Sequence, residues 1–174
     1  MSNIDRASYN RLGQLFTAAN QAAATVTLIN TSTATGLIVY NPWGSGKKLV
    51  LCDACFTYTT APTAIATPWL AMSIKPSAVP LSGLTAVDVY ASNGSGVSSI
   101  AAGKAASAAT TPVLPVYTQQ LGNALVTVAG TSPATWQVQL DGSLILVPGS
   151  FIQISYIGQA PVGQGSMSWI EVSE

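Results

Sequence analysis

The sequence predicts an all-β protein: an antiparallel β-sandwich or jelly roll with an N-terminal arm. Two observations predict it. From Thr25 onward the apolar runs are short and rich in β-branched and aromatic residues, the types that suit a pleated, half-buried surface. These runs are bounded by Gly, Pro, Asn or Ser, the punctuation of a sandwich or barrel. A length of 174 residues argues for one domain with an appendage.

The elements follow in order. Residues 1–24 hold Asp5, Arg6 and Arg11, then the Ala/Gln-rich stretch TAANQAAA. Leu12, Leu15 and Phe16 stand at i, i+3 and i+4, a one-face helical spacing. The segment is too short to decide between helix and extended chain, and it is too poor in bulky residues to build a core. It reads as an arm ordered by a neighbour, attached to a β-domain over 25–174. In that domain ATVTLIN alternates, TSTATG reads as a turn, and LIVYNP follows. PWGSG leads into KKLVLCDACFTYT; WLAMSIKP and the alternating LTAVDVYAS come next. The stretch 92–112 is low in bulky residues and reads as a long flexible loop with a short strand at VSSI. ALVTVAG, TWQVQL, SLILVPG, SFIQISYIG and SMSWIEV complete the set.

Two turns carry a mechanism. Asp141-Gly142 supplies the positive φ angles of a two-residue hairpin. At Pro148-Gly149, Pro fixes one central φ and Gly takes the left-handed position after it. Residues 135–158 therefore predict three consecutive antiparallel strands.

Composition narrows function. Six Lys+Arg balance six Asp+Glu, with no His; charged residues are 7% of the chain, against about 25% in ordinary domains. Polarity comes from neutral groups, since Ala, Ser and Thr supply 62 of the 174 residues. No basic stripe exists to displace counterions from nucleic acid. Thr, Gln and Pro interrupt the uncharged stretch from Ala105 to Leu140, so no membrane span is expected. The opening MSNIDRASYNRLGQ lacks the apolar centre of a secretory signal. A net charge of zero gives little repulsion between copies and suits a chain built into an assembly.

The motifs have plain readings. Cys52-Asp53-Ala54-Cys55 is a CxxC without the further Cys or His that a zinc site needs. It lies in a strand, where residues three apart point to opposite faces unless a bulge intervenes, so two small buried thiols are expected. Gly44-Ser45-Gly46-Lys47-Lys48 resembles the end of a phosphate loop, but position 41 is Asn, position 48 is Lys, and a strand follows. Without His there is no Ser-His or Cys-His pair. Of the carboxylates, Asp53 and Asp88 lie away from termini and turns, and their spacing suggests no glycosidase pair. No catalytic residue, metal or cofactor is expected. Trp136 and Trp169 alternate within strands and read as core or contact residues; Trp43, in NPWGSG, reads as an exposed aromatic.

GLIVYNPWGSGKKLVL, then DGSLILVPGSFIQISYIG and SMSWIEV, resemble phrases of virion proteins of tailed bacteriophages, most closely the small jelly-roll decoration or cement proteins of capsids. The likeness covers roughly residues 36–58 and 141–172, together with the scarcity of charge after Arg11. It implies a non-enzymatic structural subunit, a homo-oligomer and commonly a trimer. Such a subunit would bind the major capsid protein on the head surface after assembly in the host cytoplasm, without nucleic acid or membrane. The expected interface is Arg6, Tyr9, Arg11, Leu15 and Phe16 in the arm, with Trp43 in its loop. The alternative is a head-fibre or receptor-binding domain that reads a host surface glycan with exposed aromatics.

Overall fold

The computed structural model describes residues 5–28, 31–60, 64, 66–98, 100–121 and 135–174. Among the described residues one short helix, α1 (Arg6–Arg11), precedes fourteen strands. They are β1 (Leu15–Ala19), β2 (Ala24–Thr25), β3 (Thr33–Tyr40), β4 (Lys47–Thr60), β5 (Ala66–Ser73), β6 (Ser82–Val87) and β7 (Val89–Ala91). Then come β8 (Gly96–Val97), β9 (Lys104–Thr110), β10 (Pro115–Gln120), β11 (Thr135–Gln139), β12 (Ile145–Leu146), β13 (Phe151–Gly158) and β14 (Val162–Ser173). The run ALVTVAG lies outside the described residues.

Two antiparallel sheets form a β-sandwich. The first runs β11-β4-β14-β1-β7-β8, with β12 also on β4 and β2 on the start of β14. The second runs β10-β5-β13-β3-β9-β6. Inward residues alternate along both sheets, as the two-residue side-chain period requires. Phe16, Leu51, Phe56, Tyr58 and Trp169 from one sheet meet Leu37, Leu70, Ile152, Ile154 and Tyr156 from the other in a single core. Phe56 and Tyr156 meet edge-on at 5.3 Å, and Tyr58 and Trp136 at 4.4 Å, the tilted geometry that aromatic quadrupoles favour. A smaller cluster of Ala34, Ile38, Ala109 and Phe151 lies on the outer side of the second sheet, where Tyr40, Leu81 and Val113 pack on it.

Strip away the two-residue β2 and the strands β6 to β9, count β11 and β12 as one, and eight positions remain: β1, β3, β4, β5, β10, β11–β12, β13 and β14. The first sheet then runs first-eighth-third-sixth, and the second runs second-seventh-fourth-fifth. The insertion β6–β9 adds two strands to each sheet, β7 and β8 beside β1, β9 and β6 beside β3.

Several expectations change here. The boundary at residue 24 is not structural: β1 bonds to β14 on one side and β7 on the other. Phe16 is 2% exposed and Ala18 is fully buried, so period 2, not the helical spacing, governs this segment. Among the described residues only α1 is helical; Asp5 caps it by accepting from the Ser8 amide at 3.2 Å, and a bond from the Ser8 hydroxyl, with that amide bond, holds the Asp5 carboxyl below its ordinary range. The predicted flexible loop at 92–112 contains β8 and β9. β9 is an interior strand of Ala and Ser, and small residues there let the backbone approach closely. TSTATG is not a turn but runs into β3 from Thr33. LTAVDVYAS is split at Asp88 into β6 and β7, which belong to different sheets.

The Asp-Gly turn is real but makes no hairpin. Asp141 and Gly142 have φ of +44° and +81°, and the Ser143 amide closes the turn on Leu140 O at 2.8 Å. Yet β11 and β12 do not pair with each other. Both lie end to end along β4, Gln139 opposite Asp53 and Ile145 opposite Val50, so 140–144 bulges out of one broken edge strand. Pro148-Gly149 likewise joins β12 to β13 across the two sheets. The other edges are irregular as well: β10 slips register between Tyr117 and Gln119, β6 slips twice against β9, and β8 is two residues long.

Candidate functional site

The predicted interface residues fall in two places. Five belong to the N-terminal segment, and the structure ties much of it to its own body. β4 carries a bulge where Asp53 faces Ser168 but Leu51 faces Trp169, leaving Cys52 as the extra residue. A bulge kinks a strand and re-aims its groups. Here the Cys52 carbonyl accepts from Leu140 N at 2.8 Å, Asp141 N at 3.2 Å and Arg6 Nη2 at 2.6 Å. Arg6 also pairs with Asp53 Oδ2 and Asp141 Oδ1, each at 2.9 Å, and donates to Gln139 Oε1 at 2.8 Å. Its fork thus fastens α1 to β4 and to the 140–144 bulge, the multidentate use for which guanidinium is suited.

Phe16 is core and stacks at a tilt on Trp169 at 6.3 Å between ring centres. Leu15, on the other face of β1, is half-buried opposite Ile170. Tyr9 is half-buried and Arg11 exposed. The arm therefore offers Arg11, not the Phe16 ring, to a neighbour. Both cysteines are free thiols. Burial pushes Cys52 up to about 11 and raises Cys55 as well, so both stay protonated and unreactive near neutrality.

Trp43 is the sixth predicted residue and stands apart. Its loop is held from within. Asn41, almost fully buried, donates from Nδ2 to Lys47 O at 2.7 Å and Leu146 O at 3.0 Å, and its Oδ1 accepts from Ser45 Oγ at 2.6 Å. The Asn41 carbonyl accepts from Gly149 N at 2.7 Å. Gly149, at φ +82°, lets the ring lie close: a Cβ there would stand 2.6 Å from Trp43 Cε3 and 2.6 Å from Ser77 O. The indole is nonetheless 61% exposed. It forms the wall between two clefts. One, of about 440 Å³, is lined by Tyr40, Pro42, Val79, Pro80, Leu81 and Leu84 among others. The other, of about 390 Å³, is lined by Gly44, Pro76, Val147, Pro148 and Glu174.

The first cleft is apolar. Asn41 spends its polar atoms inside the loop. Ser77 Oγ accepts from Val79 N at 3.1 Å and Ser77 N donates to Gly149 O at 2.9 Å. Burial raises the Tyr40 hydroxyl above its ordinary value, so it stays neutral.

A third hollow, of about 520 Å³, lies at the 20–25 turn and includes Asp88 and Ser107. Among the described residues no cluster of His, Cys, Asp and Glu suited to a metal is present. Sequence reasoning missed Glu171, which is buried and accepts from Ala102 N at 3.0 Å, Gly103 N at 2.8 Å and Trp169 Nε1 at 3.3 Å. Its position near the chain end gave no signal of that.

No family model, curated protein or solved structure matches the chain.

Proposed function

We propose that the protein is a structural subunit of a tailed-bacteriophage head, a decoration or cement protein that acts by assembly and not by catalysis. The observation that carries this reading is the Trp43 surface: a rigidly held, exposed indole beside an apolar cleft whose hydrogen-bonding groups are largely occupied. Such a surface offers area and shape to a protein partner and little to a reacting substrate. The carboxylates fit the same reading. Asp53 and Asp141 are paired with Arg6, Glu171 is held by backbone amides, and Asp5 caps a helix.

The strand order of the eight-position framework supports a jelly roll with a four-strand insertion, the architecture that the resemblance implies. On this reading the chain is homo-oligomeric and binds the major capsid protein on the outer shell. The test is to purify intact heads on a gradient and quantify the chain against the major shell protein. A fixed copy ratio that survives salt washing is the expected result; a ratio that falls to zero with washing overturns the proposal.

A second reading, a head-fibre or receptor-binding domain for a surface glycan, is favoured by the exposure of Trp43 alone. A glycan array probed with the wild type and with Trp43→Ala separates it: a hit lost in the variant supports glycan binding.

A further inference from the structure

We propose that α1 is a strap across the outer face of the first sheet, clasped by Arg6 and hinged at Gly13, that swings open while β1 stays paired. Closed, it covers Cys52 and Ile170. Open, it bares both and frees residues 5–13 as an arm.

The crossing follows from the two ends of the segment. At the far end Arg6 reaches Asp53 and the Cys52 carbonyl on β4. At the near end the Gln14 carbonyl, where the chain enters β1, accepts from Glu171 N. β14 lies between β1 and β4, so α1 passes over it. The lengths agree. A helix of six residues is about 9 Å long, and two strand spacings are about 9–10 Å.

What lies beneath needs a cover. Ile170 follows the core residue Trp169 and so points to the opposite, outer face, yet it is 1% exposed. Cys52, the extra residue of the bulge, is fully buried. Neither belongs to the main core or to the smaller cluster on the second sheet. The Cys52 thiol has the Arg6 charge and the Ile170 backbone as neighbours.

The clasp is single and open to solvent. No residue of α1 is fully buried, and a helix this short does not hold itself in water. Among the described residues, Arg6 makes all the hydrogen bonds and ion pairs that tie 5–13 to the sandwich. The Arg6 and Asp141 side chains are 31% and 59% exposed, a setting where ion pairs contribute little and salt screens them. β1, by contrast, has a strand on each side. Gly13, at φ +67°, joins the two, a backbone conformation that glycine adopts without strain. The least fastened unit opens before the sheet does.

The Cys52 thiol is the reporter. In the full chain carrying Cys55→Ser, its reaction with an uncharged aromatic disulfide is followed under native conditions. Adding Arg6→Ala should speed the reaction roughly tenfold. Adding Asp5→Ala instead, which frays the helix without touching β4, should speed it less. Loss of the neighbouring positive charge would by itself make the thiol less reactive, so acceleration reports opening. Raising salt should speed the Cys55→Ser parent and leave Arg6→Ala unchanged. Hydrogen exchange measured in parallel should rise over 5–13 and stay slow in β1.

Unchanged labelling in both variants overturns the strap. So does acceleration accompanied by faster exchange in β1, since the thiol is then bared by unfolding of the sheet. Faster exchange over 137–146 with none at 5–13 also overturns it, because the 140–144 bulge is then the gate. If Arg6→Ala fails to fold, Asp5→Ala and the salt series on the parent decide the question by the same criteria.

Discussion

The eight-strand framework and the inserted strands β6–β9 are held by different means. The framework buries large side chains. Trp169, Tyr58, Tyr156, Phe56 and Phe151 are its bulkiest fully buried groups, and their transfer from water is the dominant favourable term. The insertion has almost none of that size. Among the described residues its buried side chains are Val89, Ala91, Ala101, Ala105, Ala106 and Ala109. Main-chain pairing to β1 and β3 fastens it, together with the Glu171 carboxylate of β14, which reaches across to the amides of Ala102 and Gly103. Small residues are needed at the seam: a Cβ on Gly103 would lie 2.8 Å from Trp169 Nε1 and 2.9 Å from Leu49 Cδ1. Bulk supplies the energy of one region; close approach and polar bonds define the place of the other.

The largest expected effect comes from the strand that joins the two regions. Deleting residues 2–22 removes β1 from between β14 and β7. The truncated chain should lose cooperative thermal unfolding altogether; a sharp transition near the wild-type midpoint would make the segment the dispensable arm that its composition suggests. Next is Trp169→Ala in the framework, where truncating a large buried aromatic costs about 3–5 kcal/mol. Chemical denaturation measures it.

Glu171→Ala probes the seam. It strands three donors, and each buried unpartnered polar group costs about 1–3 kcal/mol. Hydrogen exchange should speed up over residues 98–110 and stay slow in β4 and β13. Uniform acceleration would mean that the insertion and framework open together. Gly142→Val, at φ +81°, should cost about 1–2 kcal/mol. Its effect on exchange should be confined to 137–146, since β11 and β12 each retain β4.

The smallest effect concerns the bulge. With Cys52 raised to about 11 in the folded chain, folding favours the thiol form. That contribution is fully present below the ordinary thiol value of about 8.5 and is lost as pH rises toward the folded value. The melting temperature should decline between these pH values, and Cys52→Ala should soften the decline. A native thiol that reacts at once with a disulfide reagent at pH 8 would contradict the burial.

What the sequence disclosed depended on side-chain size. β4, β13 and β14 are legible because large apolar residues alternate in KKLVLCDACFTYT, SFIQISYIG and SMSWIEV. β9 is not, because KAASAAT alternates among residues too small to register, and its partners decide its state. β1 was masked by Leu12, which is exposed and lends Leu15 and Phe16 a helical spacing that the fold does not use. The local chemistry of Asp141-Gly142 was readable; which strands it separates was not, since a bulge and a hairpin share the same dihedral angles and differ only in long-range pairing. Trp43 was visible as a loop aromatic. Its cleft was not, because Val79, Leu84 and Gly149 come from distant stretches.

The broken sheet edges bear on how such a chain survives at high concentration. Unpaired edge strands invite main-chain bonding between molecules, and proteins commonly block it with lysines. This chain has few to place. Among its described edge strands the blocking is done by shape: β10 and β6 slip, β8 is cut to two residues, and β11 and β12 are parted by a bulge. A growing fibril needs a long straight template, and these breaks keep the regular run of β11 to five residues and that of β8 to two. At high concentration such edges would favour contacts through side chains, which are reversible and saturable, over open-ended stacking of backbones.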